Sequence, residues 1–344
     1  MKGYQMINIE NLLQKNNIKG LSYTVVKGSN EITTHSYGVD LKNTGKKQNK
    51  LLSACSISRL LTTVDILQAK DEGILDLNDD VNKYLKSWHL EGSAVTTEDL
   101  LLNQSGIVDC EASYGTYKLS IGKPSLVDLL DGKTIYVKKK VKVVEHPRKS
   151  FVYSDNNFLV LEKLLEDLYD MSYRELVHQK ILKPFGMEDS SYLDYDDLNR
   201  LKCIYGRDKL GNYIKKEKNI YPYDSVAGLW TTSNDLSKLL AELFKSYNNE
   251  SDLLLKTETT KEMMSSKGCV DFTGYGVFVY EIRGRKVFHS QGWGEGFQSY
   301  MLGFLEDGDG IVVMMNQNPG VDQMDGPIGE IVTAFVEECF SSEC

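Results

Sequence analysis

No stretch of the chain approaches about 18 uninterrupted apolar positions, so no segment is expected to cross a bilayer as a helix. The first ten residues, Met1 through Glu10, carry no apolar core and no small-residue cleavage site, so an export signal is not expected. Cysteine is sparse. The six present (Cys55, Cys110, Cys203, Cys269, Cys339 and Cys344) are scattered, with no CxxC pair and no ligand spacing with histidine. That argues against a zinc site and a disulfide framework, and the expectation is reduced thiols in the cytoplasm. Positive charge is in deficit, with 40 Lys and Arg against 49 Asp and Glu, net −9. A nucleic acid or an anionic membrane surface is therefore not expected as the main partner. Histidine is scarce too, and His35, His89, His146 and His178 stand isolated, as surface or satisfied core residues would. Internal repeats and low-complexity linkers are absent. What is there, 41% hydrophobic and 26% charged residues, is ordinary globular composition. A chain of this length buries roughly three quarters of its unfolded surface.

The most informative stretch is Cys55-Ser56-Ile57-Ser58-Arg59. Ile57, Leu60, Leu61, Val64 and Leu67 follow at helical spacing, and Gly73 suits a C-terminal cap. Ser56 and Arg59 are three apart and rise on one face, about 5–6 Å apart at Cβ. The first turn of such a helix favours developing negative charge, which makes Ser56 a candidate nucleophile. The competing reading is that Ser56 or Ser58 is an N-cap.

Elsewhere, 21–27 and 31–37 read as strands of a hairpin around Gly28-Ser29-Asn30, and 42–50 as a loop. A surface helix ends near Asn16-Asn17, and Thr96-Thr97 starts a capped helix that stops at Gln104-Ser105-Gly106. The β-branched run 135–144 reads as a strand with a solvated lysine face. Residues 158–169 and 173–181 are amphipathic helices, and Thr232 or Ser233 caps another that runs to about 247. Strands follow at 275–282, 286–289, 298–305 and 310–315, then a helix over 321–340. Strands from both ends of the chain with helices between predict an α+β fold: an antiparallel β-sheet flanked by helices, with an inserted, mainly helical subdomain. The division is a single domain over 1–344, with the sheet from about 1–75 and 215–344 and the helical part about 76–214.

In these positions the chain resembles the serine β-lactamase and penicillin-binding-protein superfamily, in its class C-like and esterase-like branch. Ser56-Ile57-Ser58-Arg59 resembles the nucleophile motif S-x-x-K. Leu100-Leu101-Leu102-Asn103-Gln104-Ser105-Gly106 is similar to LLxHxSG, and Tyr153-Ser154-Asp155 to Y-x-N. Lys183-Pro184-Phe185-Gly186-Met187 is similar to KPLGM, and Ala227-Gly228-Leu229 to AGGL. Ser290-Gln291-Gly292-Trp293-Gly294 resembles the HxG or KTG strand.

The resemblance implies a β-lactamase/transpeptidase-like α/β sandwich and acyl transfer to Ser56. It also implies Tyr153 as proton shuttle, with the Ser56 and Trp293 N–H groups as oxyanion donors and Asp155, Ser290, Gly292 and Asn103 lining the site. No cofactor or metal is called for, and the partner is a small-molecule or peptide substrate. The polar centre departs from the pattern. Arg59 replaces the lysine and, being permanently protonated, is no base. Asp155 replaces asparagine and reads equally as a helix cap, a salt-bridge partner for Arg59 or a catalytic group, and Ser290 stands where lysine or histidine is usual. His289, one residue earlier, points to the other strand face unless a bulge re-aims it. Classical β-lactamase activity is therefore not expected. Two readings remain: a serine hydrolase, or an inactive descendant that binds or regulates.

Overall fold

The computed structural model describes residues 8–38, 50–110, 115–116, 118–194, 203–214 and 220–341. Most of the expected loop at 42–50 and the thiol of Cys344 lie outside them. Strands β1 (Leu21–Lys27) and β2 (Glu31–Tyr37) form the expected hairpin, pairing from Leu21↔Tyr37 to Lys27↔Glu31. Two short strands, β3 (Leu52–Ser53) and β4 (Ser191–Tyr192), flank β5 (Leu229–Thr231) in a small three-stranded sheet. The last four, β6 (Phe278–Ile282), β7 (Arg285–Gly294), β8 (Phe297–Phe304) and β9 (Asp309–Met315), join the hairpin in one six-stranded sheet. Its order is β2-β1-β9-β8-β7-β6, and every pairing in it is antiparallel.

Ten α-helices are described: α1 (Ile9–Lys15), α2 (Ser58–Asp71), α3 (Thr97–Leu101), α4 (Leu126–Leu130), α5 (Asp155–Tyr169), α6 (Tyr173–Val177), α7 (Asp224–Ala227), α8 (Ser233–Tyr247), α9 (Thr257–Met263) and α10 (Pro327–Ser341). One sheet face packs on α1 and α10, where Ile9, Leu12, Ile331 and Phe335 meet Val25, Tyr300 and Val313. The other packs on α8 and α2, and the same apolar cluster runs on into the helical part through Leu60, Phe158 and Leu164. Alternation along the strands explains how one sheet serves two cores.

Local chemistry sets the ends. Thr96 and Asp99 form a reciprocal capping box on α3, and the Thr232 hydroxyl accepts from Asp235 N on α8. α10 begins at Pro327, later than the sequence pattern implied, because proline fits the first helical position. The helix expected over 173–181 stops as α-helix at Val177, and His178–Leu182 is a π-helical turn. The strand expected at 135–144 does not form. Tyr136, Val137, Val141 and Val143 are buried singly against the helical part, and isolated bridges, Glu91↔Lys142 and Ile107↔Val143, with single hydrogen bonds such as Val141 N to Leu130 O, tie the run to its neighbours. A β-branched run becomes a strand only where a second strand satisfies its backbone. Among the described residues no helix is long and apolar enough to cross a membrane, and no cluster of three metal-binding side chains occurs.

Candidate active site

Between β3 and α2 the chain makes a 3-10 turn, Cys55–Ile57, held from three sides. Ala54 N donates to Leu229 O at 2.9 Å, and Ala54 O accepts from Ser299 Oγ at 2.7 Å. Ser58 Oγ donates to Cys55 O at 2.7 Å and accepts from Leu229 N at 3.1 Å. The residue at the helix cap is Ile57, with no side-chain bond to the helix, so neither serine serves as the N-cap. Cys55 has φ +50°, a left-handed conformation that costs a non-glycine residue about 1–3 kcal/mol and persists only where the surroundings impose it. Burial pushes the Cys55 thiol up to about 12, so it is a packing group and not a nucleophile. Every residue of α2 from Ser58 to Ala69 is buried, polar ones included. The apolar positions read from the sequence thus lie on a central, largely buried helix.

Ser56, Arg59, Asn103, Tyr153, Ser290 and Gln291 line one narrow cleft, together with apolar residues that include Phe151, Phe158 and Phe278. Arg59 is buried, paired with Asp155 through Nη2, and packed on the rings of Tyr153 and Phe158 at 4.0 and 4.8 Å from Cζ to centroid. This aromatic packing and ion pairing hold the guanidinium in place. Tyr153 itself is 46% exposed.

The Tyr153 turn is clamped from both ends. Asn103, at φ +54°, accepts Val152 N on its carbonyl at 2.8 Å and takes Ser154 N and Asn157 Nδ2 on Oδ1 at 3.2 and 3.0 Å. Asp109 accepts from Ser154 Oγ, Asp155 N and Asn156 N at 2.6, 2.7 and 3.2 Å, a carboxylate capping α5 from outside its own segment. Asp109 and the Phe151–Phe272–Phe278 ring cluster, with centroids 5.3 to 6.4 Å apart, were not singled out from sequence. A lone Asp and three separated phenylalanines carry no local pattern.

The far wall is β7. Its ladder with β8 runs without interruption from Val287↔Phe304 to Gly294↔Phe297, so no bulge re-aims it. Ser290 therefore faces the cleft. His289 is not brought there: it lies on the opposite face, its ring stacked on Phe278 at 4.9 Å and Tyr300 at 5.2 Å, and burial lowers its pKa to about 4. Trp293 is 46% exposed and is not among the residues lining the cleft. β6 pairs with β7 only as far as His289, and the β7 residues beyond it approach the Ser56 turn.

Gly292 makes that approach possible. A Cβ there would meet Ala54 O at 2.4 Å, Ser299 Oγ at 2.5 Å and Cys55 Cβ at 2.9 Å. Gly292→Ala is expected to force strand and turn apart, lowering stability by about 1–3 kcal/mol, as overpacking does. A melt that matches the wild type would show that the contact is slack.

Several solved structures share this architecture at low identity. D-amino acid amidase from Ochrobactrum anthropi superposes with TM-score 0.77 at 15% identity, over 98% of this chain and all of that one. A penicillin-binding protein from Bacillus halodurans gives 0.74 at 19%, over 96% of this chain and 99% of the other. In sequence, 204 residues, 59% of the chain, are 26% identical to teichoic acid D-alanine hydrolase of Staphylococcus aureus. The chain spans about half the length of that curated relative, 47% of it being matched. The Beta-lactamase family model matches residues 8–332. The chain is a member of the Beta-lactamase family.

Proposed function

We propose that the chain is a serine hydrolase or transacylase that acts on an ester, amide or peptide carbonyl through a Ser56 acyl-enzyme. The observation that carries this reading is Ser56 itself, on a turn with a left-handed residue before it, lining a cleft shared with Tyr153 and Ser290. Ser56 Oγ bonds to the carbonyl carbon as the C=O pair moves onto oxygen. The Ser56 proton passes to Tyr153 Oη, which hands its own proton to the leaving group as that bond breaks. The Ser56 and Trp293 N–H groups are the proposed oxyanion donors, and Asn103, Asp155, Ser290 and Gly292 shape the site. Relatives named as a D-alanine hydrolase of teichoic acid and a D-amino acid amidase support an ester or amide of an amino acid's carboxyl group as the substrate class. β-Lactam hydrolysis is not part of the proposal, because Arg59 supplies no base.

One observation favours the second reading, an inactive binding or regulatory protein: Arg59 is fully enclosed and paired with Asp155. Covalent labelling by a fluorophosphonate separates the two. Uptake at Ser56 that is lost in Ser56→Ala, together with turnover of a p-nitrophenyl ester, is the expected result. No labelling and an uncatalysed rate would leave the inactive reading.

The compartment we propose is the cytoplasm, on the scattered cysteine pattern. Thiol titration of denatured, unreduced protein is expected to count all six cysteines. Two or more missing would place the protein in an oxidising compartment.

A further inference from the structure

A leaving group must stand beside Tyr153, since Tyr153 Oη hands it the proton in the reaction proposed above. The cleft on that side is unusual in its charge. Among the described residues that line it, Arg59 alone is ionic, and its guanidinium is already met by the Asp155 carboxylate and covered by the Tyr153 ring. Ser290 and Gln291 add a hydroxyl and an amide, and Phe151 and Val277 add apolar surface. The wall over residues 273–278 is pinned. Gly276 N donates to Leu101 O at 3.1 Å, Tyr275 N to Met263 O at 3.0 Å and Tyr275 Oη to Glu98 Oε1 at 2.6 Å. A Cβ on Gly276 would collide with Thr63 Oγ1, so this backbone lies directly against α2. A narrow, fixed cleft strips water from whatever enters it, and a carboxylate that entered would find no cation to replace that water.

We propose that this cleft selects uncharged leaving groups, the alcohol of an ester or a simple amine, and rejects a leaving group whose own carboxylate lies next to the scissile bond. The proposal rests on the Ser56 reading with Tyr153 as shuttle, and it narrows the substrate class. The bond from Ser56 Oγ to the acyl carbon forms, the bond to the leaving oxygen or nitrogen breaks, and that atom keeps the electron pair and takes the Tyr153 proton. Nothing in the step asks for a second charge on the departing group. Ser290 is the specificity-determining residue, because it faces the cleft with a hydroxyl where the resembling strand carries a lysine or histidine. Rejection here works by leaving the wrong group's charge unpaired.

The test compares two esters with one acyl group, D-alanyl glycolate and D-alanyl glycolamide, whose leaving groups match in shape and differ in charge. Each kcat/KM is divided by the rate of the same ester with hydroxide, which removes the intrinsic difference in reactivity. The wild type is expected to favour the glycolamide ester by about tenfold or more. Ser290→Lys is expected to shift that ratio toward the glycolate ester by about tenfold or more, through a charge-assisted hydrogen bond. A changed proton relay or a loosened fold would move both esters alike and leave the ratio where it was. If Ser290→Lys melts below the assay temperature, Ser290→His serves instead, with the shift expected at about pH 5.5 and lost at about pH 8 as the imidazolium gives up its proton. A wild type that cleaves both esters equally, or the glycolate ester faster, overturns the selection while leaving Ser56 as nucleophile. An unchanged ratio in the position-290 variant overturns the role of Ser290. Turnover of neither ester, with no fluorophosphonate label on Ser56, overturns the hydrolase reading and this inference with it.

Discussion

Tyr153→Phe is expected to lower kcat for a p-nitrophenyl ester by roughly 10²–10⁴-fold, the range for loss of a positioned proton-transfer group. Phenylalanine keeps the ring over Arg59, so the 4.0 Å stacking contact survives and the change removes the hydroxyl alone. KM and the melting temperature should therefore move little. Ser56→Ala is expected to fall further, to the uncatalysed rate, and the two losses should not multiply in the double variant, because both groups serve one step. Steady-state kinetics of the three variants and the wild type decide it. A Tyr153→Phe enzyme with wild-type kcat would move the proton relay elsewhere, and a wild type at background would end the hydrolase reading.

The second large effect concerns stability. Asp65 sits on α2 with no exposed surface, and among the described residues neither carboxylate oxygen has a hydrogen-bond partner. Burial pushes its pKa up to about 8, against the opposing pull of Lys180, while Glu72 adds to the rise. An unfolded aspartate titrates near 3.9, so between roughly pH 4 and pH 8 the folded state holds a proton that the unfolded chain has released. Stability must fall as pH rises across that window and level off above it. Glu162, also buried, is raised in the same direction. Asp65→Asn keeps the shape of the protonated acid and removes the titration. Its melting temperature is expected to match the wild type near pH 4 and exceed it by several degrees at pH 8, on the order of a few kcal/mol. Parallel melting curves at both pH values would mean that Asp65 is hydrated or paired in solution.

Much of the framework was legible because it is local. The hairpin at Gly28-Ser29-Asn30, the Thr96 and Thr232 caps and the alternating strands after Phe278 each follow from short-range rules, and the structure has them. The run 135–144 misled because strand propensity describes a surface that awaits a partner, and here it meets isolated bridges and single hydrogen bonds rather than a second strand. The polar centre was legible as a set of residue types but not as a set of bonds. That Arg59 meets Asp155 across 96 positions of sequence was one open option among several, and the carboxylate of Asp109 at the head of α5 had no signature at all. Long-range polar pairing depends on tertiary placement, which single-sequence patterns do not encode.

The unbroken β7–β8 ladder has a further consequence, for how this cleft can change its chemistry. Eight consecutive pairs lock each β7 side chain to one side of the sheet. Inserting or deleting one residue would exchange His289 for Ser290, but it would also turn Val287 and Phe288 inside out and break both cores. The wall therefore behaves as a fixed socket with interchangeable pins. Point substitution at position 290 can place an acid, a base or a hydroxyl above Ser56 while the frame stays as it is, so new chemistry on this wall is reachable in single steps. Re-indexing the strand is not.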